Sequence, residues 1–270
     1  MSVKEIKVLI RGGGELASGV AHRLHQSHFR VCLTEAPLPL AVRRGVAFCE
    51  AVYDGEKVIE GVTARFITSP DKVNETWQDG VIPLLIDPEN NARNTIKPDV
   101  LIDAIIAKKN LGTRITDAPL VIALGPGFTA GKDAHVVIET NRGHNLGRII
   151  RHGEAEPNTG RPGAIGGFDR ERVWHAPASG IFTTQKKIGD IVAANETVAF
   201  IGEVPVKTEI SGIIRGLLRD KTEVPKGMKL GDIDPRGIEE YCYTISDKSR
   251  TISGGVLEAI MMRFNKNSKI

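Results

Sequence analysis

Apolar residues in the first half of the chain fall in short, nearly continuous runs separated by polar stretches. EIKVLI (5–10), RVCLTE (30–35), IPLLID (82–87), DVLIDAII (99–106), LVIAL (120–124) and HVVIE (135–139) are rich in β-branched residues. Runs of this kind mark strands covered on both faces and predict a mostly parallel sheet in an α/β domain. Between the first two, ASGVAHRLHQSH sets Ala17, Val20, Ala21 and Leu24 at helical spacing, so strand, glycine turn, helix and strand follow in order. VAFCEAVYDGEKVIEGVTARFI alternates around a DG pair and predicts an inserted hairpin at about 45–68. Residues 140–170 are dense in Gly, Arg, His and Asn and predict a long loop.

The second half carries an internal repeat. A shift of 32 residues lays SGIFTTQKKIGDIVAANETVAFI (179–201) on SGIIRGLLRDKTEVPKGMKLGDI (211–233), matching Ser179 with Ser211, Gly180 with Gly212 and Ile201 with Ile233. A unit this short cannot bury its own face, so two copies must share a core. The expected fold is therefore a Rossmann-like, mostly parallel sheet domain (1–168) followed by a small all-β barrel-sandwich domain of biotinyl/lipoyl type (169–237). A C-terminal segment (238–270), helical through GGVLEAIMMRF, would pack back on the first domain. Lys207 lies five residues before Gly212, inside a strand and away from a hairpin tip, which argues against a carrier lysine.

The stretch VLIRGGGELASGV gives the first domain a candidate chemistry. Gly12, Gly13 and Gly14 with Ala17 match GxGxxA between a strand and a helix, where glycine lets a pyrophosphate approach the helix N-terminus. Glu35 ends the next strand, placed to accept hydrogen bonds from ribose hydroxyls. Glu15, just inside the helix, favours the helix dipole and repels a phosphate. Arg142, His144 and Arg148, with Arg151 and His152 among glycines, form a candidate cradle for a phosphate or carboxylate, or a solvated loop. Asp87 and Asp103 close later strands and could hold a sugar hydroxyl or a metal, or cap a turn. LGPGFTAGKDAH lacks P-loop spacing, since Asp133 follows Lys132 where Ser or Thr is needed. No catalytic pair stands out and no His pair has metal-ligand spacing, so catalytic residues are left unassigned and no metal is expected.

Bulk properties narrow the class. The 270 residues carry a net charge of +3 spread along the chain, which gives nucleic acid or a membrane surface little to bind and leaves a small anionic ligand open. With no long apolar run and no signal-peptide cleavage region, a cytoplasmic protein is expected. Cys32, Cys49 and Cys242 fit neither a disulfide framework nor a CxxC site, and a buried structural thiol is the better reading of Cys49.

GGGELASGVAHRL, TEAPLPLAVRRGVAFCEAVYDG, LGPGFTAGKDAHVVIETNRGHNLGRII, EPNTGRPG, APASGIF and KGMKLGDIDPRG, in this order, resemble the selenium-dependent molybdenum hydroxylase system proteins, the YqeB-like accessory family. The resemblance implies an accessory or maturation factor that binds a molybdopterin-type cofactor and a client molybdenum hydroxylase. It leaves open whether sulfur or selenium passes through Cys49, and whether the chain forms homo-oligomers. The competing reading is an NAD-dependent oxidoreductase of Rossmann type, for which Glu35 and the glycine turn would hold NAD.

Overall fold

The computed structural model describes residues 3–265. Two compact units divide the chain: one runs to Pro39, resumes from Ala47 to Asn158 and returns from Ile245, and the other takes Leu40–Val46 and Thr159–Thr244. These bounds depart from the expected 1–168, 169–237 and 238–270 divisions because the chain leaves each unit and comes back to it.

The first unit begins with β1 (Lys7–Arg11), α1 (Glu15–Gln26) and β2 (Arg30–Glu35), then α2 (Ala51–Asp54), β3 (Glu56–Ile59) and β4 (Val62–Phe66). It continues through α3 (Val73–Gln78), β5 (Ile82–Ile86), α4 (Arg93–Ile96), β6 (Val100–Asp103) and β7 (Leu120–Leu124). Four short strands complete it: β8 (Thr129–Ala130), β9 (Val136–Ile138), β10 (Ile149–Ile150) and β11 (Gly153–Glu154). Val8, Leu9 and Ile10 are all fully buried, because neighbours cover both faces of β1. The strand order is β10-β9-β7-β6-β1-β2-β5-β4-β3, and β8 and β11 pair separately.

The second unit contains β12 (Val173–His175), β13 (Gly180–Thr183), β14 (Ile191–Val192), β15 (Thr197–Ile201) and β16 (Val204–Lys207). After them come β17 (Gly212–Leu217), β18 (Thr222–Val224), β19 (Lys229–Asp234) and a single helical turn, α5 (Glu240–Tyr243). Two four-stranded sheets result, ordered β12-β19-β17-β14 and β16-β15-β13-β18. The repeat exchanges its middle strands: β14 pairs with β17 and β18 with β13. Phe182, Ile214, Leu217, Leu230 and Ile233 fill the core they share. Lys207 is the last residue of β16.

The long helix α6 (Asp247–Phe264) belongs to the first unit, where it packs along α1 and against β7, β9 and β10. Small residues set that approach, since a Cβ on Gly19 of α1 would overlap Ser249 Oγ of α6. Residues 266–270 of the expected C-terminal segment lie outside the described residues.

The structure corrects the expected fold class. The large sheet has nine strands and is mixed: β10 and β3 run antiparallel to their neighbours at the two edges. A Rossmann-like domain would set a full helix at each crossover, yet α2, α3 and α4 have four, six and four residues against twelve in α1. Prolines 37 and 39 follow β2, and prolines 88 and 98 bracket α4, so these segments cannot extend as helices. Cover on the sheet comes instead from α6, brought from the far end of the sequence. The second unit is two separate open antiparallel sheets, which replaces the expected biotinyl/lipoyl-like barrel.

The hairpin expected at about 45–68 is present as β3 and β4, but its turn is not the Asp54-Gly55 pair. Asp54 ends α2 and Gly55 (φ 81°) caps it, while the turn between β3 and β4 is Glu60-Gly61, with φ of 43° and 80°. A glycine at positive φ stands at both places, so the same local chemistry serves a helix end and a hairpin. The hairpin is the edge of the large sheet, joined through the parallel pairing of β4 with β5.

Candidate ligand-binding site

The strand order reverses in the large sheet at β1, which pairs in parallel with β2 on one side and β6 on the other. In open α/β sheets the crevice beyond the strand ends at such a point is where ligands bind. A cavity of about 540 Å³ occupies this place, lined by Arg11, Gly12, Glu35, Asp87, Glu89 and Asn110 among others.

The glycine turn is built from this crevice outward. The Gly12 N–H donates to Thr34 O (2.7 Å) at φ 100°, where a Cβ would lie 2.9 Å from Ala104 O. The Gly13 N–H donates to Glu35 Oε2 (2.8 Å), and the Ala36 N–H to Glu35 Oε1 (2.7 Å). Gly13 O in turn accepts from the Cys49 N–H (2.9 Å) and from Ser18 Oγ (3.0 Å). Gly13 is therefore glycine for packing: its Cβ would stand 3.0 Å from both Cys49 N and Cys49 Cβ. Gly14 is the N-cap of α1 with no side-chain cap, and a Cβ there would meet open space.

Burial pushes the Glu35 carboxyl up, against the pull of its two backbone N–H partners. Asp103 is pushed up too, by burial, although Thr113, Arg11 and the Ile105 N–H work the other way. The Arg11 guanidinium lies 3.5 Å from Asp103 Oδ2 and donates to Thr113 Oγ1 (2.5 Å), whose hydroxyl donates to Asp103 Oδ2 (2.6 Å). Arg11 also donates to the carbonyls of Pro88 and Leu111, which fixes the loops over the crevice. Asp87 accepts from the Asn91 and Ala92 N–H groups and shapes the turn before α4. The polar surface of the crevice is thus dominated by acceptors. Carboxylates attract hydroxyl and amino donors and repel phosphate.

The other sequence candidates stand elsewhere in the first unit. Glu15 Oε1 accepts from Ser246 Oγ (3.0 Å), tying the start of α1 to the N-cap of α6. Arg142 makes a double hydrogen bond to Asp247 (2.8 Å each), so much of its donor capacity is committed. His144 is exposed, and Arg148 borders a cleft shared with Glu139, Glu154 and Glu156. Buried Glu139 accepts from the N–H groups of Thr140, Asn141 and Glu156, which gives this glycine-rich segment its shape. The structure brings Gly12, Gly13 and Glu35 together and leaves Arg142, His144 and Arg148 outside the cavity lining. The sequence reading missed Arg11 and its pairing with Asp103; the signal available was a charged residue closing each of two apolar strands.

Cys32, Cys49 and Cys242 are buried, and none of them is in a disulfide. Among the described residues no group of three or more His, Cys, Asp or Glu is arranged to hold a metal ion, and no helix is long and apolar enough to cross a membrane.

No family model matches the chain. Among solved structures it is similar to TcdA (CsdL), with a TM-score of 0.34 and 12% identity over 98% of this chain and 90% of that one. A second is an aspartoacylase family protein from Mesorhizobium loti, with a TM-score of 0.27 and 10% identity over 84% of each chain. Likenesses this distant decide nothing about fold or function. In sequence, 262 residues are 50% identical to the uncharacterized protein YqeB of Escherichia coli (strain K12), covering 97% of this chain and 48% of that protein. Over nearly its whole length the chain is thus similar to YqeB, of which it spans about half.

Proposed function

We propose that the chain is an accessory protein of molybdenum hydroxylase maturation that binds a nucleotide or a molybdopterin-type cofactor in the crevice beyond β1, β2, β5 and β6. The maturation role rests on the family resemblance of the sequence. The observation that supports binding is the cavity of about 540 Å³ with Glu35, Asp87 and Glu89 on its wall. Such a wall suits ribose hydroxyls, or the amino and ring N–H edge of a pterin, both of which present donors to a carboxylate. A phosphate on the same ligand would sit away from the carboxylates, toward Gly14 at the uncapped start of α1.

Calorimetry with NAD, GMP and a molybdopterin-type pterin tests this reading. Glu35→Gln keeps the size of the side chain but sets an amide donor where an oxygen accepts from the Gly13 or Ala36 N–H, and should weaken the bound ligand about tenfold, with circular dichroism checking that the fold is kept. Gly14→Val, at a position with free space, should weaken it further if the phosphate lies there. Gly13 is unsuited to such a test, because any side chain meets Cys49. No binding by any of the three compounds to folded protein overturns the assignment.

The raised Glu35 carboxyl gives the site a pH signature. A donor-bearing ligand needs the ionised form, so affinity should be full above the folded-state value and fall as pH drops through it. Glu35→Gln should remove that dependence, read from calorimetric titrations across the acid range. A dependence that survives the substitution assigns it to another group.

A further inference from the structure

We propose that a second cleft of the first unit, at the opposite end of the same sheet, binds an anion carrying a flat aromatic ring. The cleft, about 680 Å³, lies between the C-terminal turn of α1, the start of β2 and helix α3, and its wall includes His25, His28, Phe29, Arg30, Trp77 and Gln78. Among the described residues its lining contains no carboxylate, in contrast to the crevice at the carboxyl ends of the strands.

Three observations point to a ligand of that chemistry. The Trp77 indole is held as a fixed wall, because its Nε1–H donates to Val31 O (2.7 Å), and the Arg30 guanidinium carbon lies 5.9 Å from the ring centroid. A flat ring can stack on such a surface while the cation beside it meets a negative group. His28, the residue after the C-cap of α1, has φ 66°, a conformation that usually falls to Gly or Asn. A larger residue here costs roughly 1 kcal/mol of backbone strain and sets an imidazole on the cleft wall. Finally, His22, His25 and His28 follow at three-residue spacing, and His25 is held below the usual histidine range by burial and by the other two. Glu60 already faces His22, and an anion in the cleft would give His25 and His28, the two histidines on its wall, a negative partner.

The bland account is that the histidines only complement the helix dipole. The C-terminal carbonyls of α1 are already bonded, however: those of Arg23, Leu24 and His25 accept from the N–H groups of Ser27, Phe29 and His28. The proposal is independent of the reading given for the crevice, since the two sites share no lining residue.

The probe is adenosine 5′-monophosphate, titrated against the full chain while tryptophan fluorescence is read, with adenosine and inorganic phosphate as separate controls. Of the two tryptophans, Trp77 lines the cleft and Trp174 is buried in the second unit. Saturable quenching by the nucleotide is expected, lost in Trp77→Phe, about tenfold weaker in Arg30→Gln and unchanged in Glu35→Gln. Adenosine and phosphate alone should each bind at least about tenfold more weakly than the nucleotide. Proton resonances of the His25 and His28 rings should shift with the same midpoint, a readout that does not require the tryptophan variant to fold. Absence of saturable quenching, quenching that persists in Trp77→Phe, or quenching lost in Glu35→Gln but kept in Arg30→Gln each overturns the proposal. The last outcome places the nucleotide in the crevice.

Discussion

Asp232→Ala is expected to cost the second unit about 3–5 kcal/mol. Asp232 is buried on β19, and its Oδ2 lies 3.3 Å from Arg215, 3.5 Å from Arg172 and 3.3 Å from Lys229. Burial alone would push its carboxyl up, but Lys229, Arg215, Arg43 and Arg172 together hold it far below the usual carboxylate range. Removing the carboxylate leaves guanidinium groups in a dry interior with too little negative charge, and that uncompensated charge is the origin of the loss. Urea unfolding followed by the fluorescence of Trp174, which sits on β12 next to β19, measures it. Replacing Arg215 and Asp232 together by leucine should recover part of the loss, because a buried pair is worth less than the penalty for breaking it. A loss below about 1 kcal/mol would show that the cluster is solvated.

The same carboxylate fixes a pH dependence. Its folded-state value is depressed, so its contribution is present above the unfolded-state value and is lost as pH falls through the folded one. Acid unfolding of the second unit should therefore be shallower in Asp232→Asn than in the parent chain. Equal slopes would remove Asp232 from the cause.

Gly19→Val should destabilise the first unit by about 3 kcal/mol. On an exposed helix, replacing glycine by a residue with a side chain is stabilising, by about 1 kcal/mol for alanine. Here the sign reverses, because a Cβ on Gly19 would overlap Ser249 Oγ and stand 3.3 Å from Ile245 Cγ2. Ser249 is fully buried and donates to Glu15 O, and Ser253 donates to Ser249 O (2.6 Å), so the serine has no room to turn aside. The α1–α6 interface must open, and α6 is the helix that covers β7, β9 and β10. Combining Gly19→Ala with Ser249→Gly should restore most of the stability lost in Gly19→Ala alone. Chemical denaturation followed by circular dichroism reads both, and purely additive effects would show that the two positions are not in contact.

Much of the first unit was legible because burial on both faces writes a continuous apolar run. RVCLTE and LVIAL coincide with β2 and β7 residue for residue. The glycine turn was legible too, since Gly12 takes a φ that side chains resist. The sequence expects Glu35 to accept from ribose hydroxyls, whereas the partners it has in the structure are the Gly13 and Ala36 N–H groups of its own fold. The sequence leaves Arg142 as part of an anion cradle or of a solvated loop, and Asp247, 105 positions on, takes its guanidinium. KLGDID, with Asp232 and Asp234 inside an otherwise largely apolar strand, carries the sign of a buried charge cluster.

By itself the sequence determined the local periodicities: where strands run, where α1 begins, and which glycines bend the chain, because each depends on neighbours within a few residues. The tertiary structure alone decided the mixed edges of the large sheet, the exchange of β14 and β18, and the cover supplied by α6. It also decided which charges meet, since Arg11 finds Thr113, Arg142 finds Asp247, and Arg172 and Arg215 converge on Asp232. Partners so far apart are chosen by which surfaces come together when the core closes, a global result that no short window of residues contains.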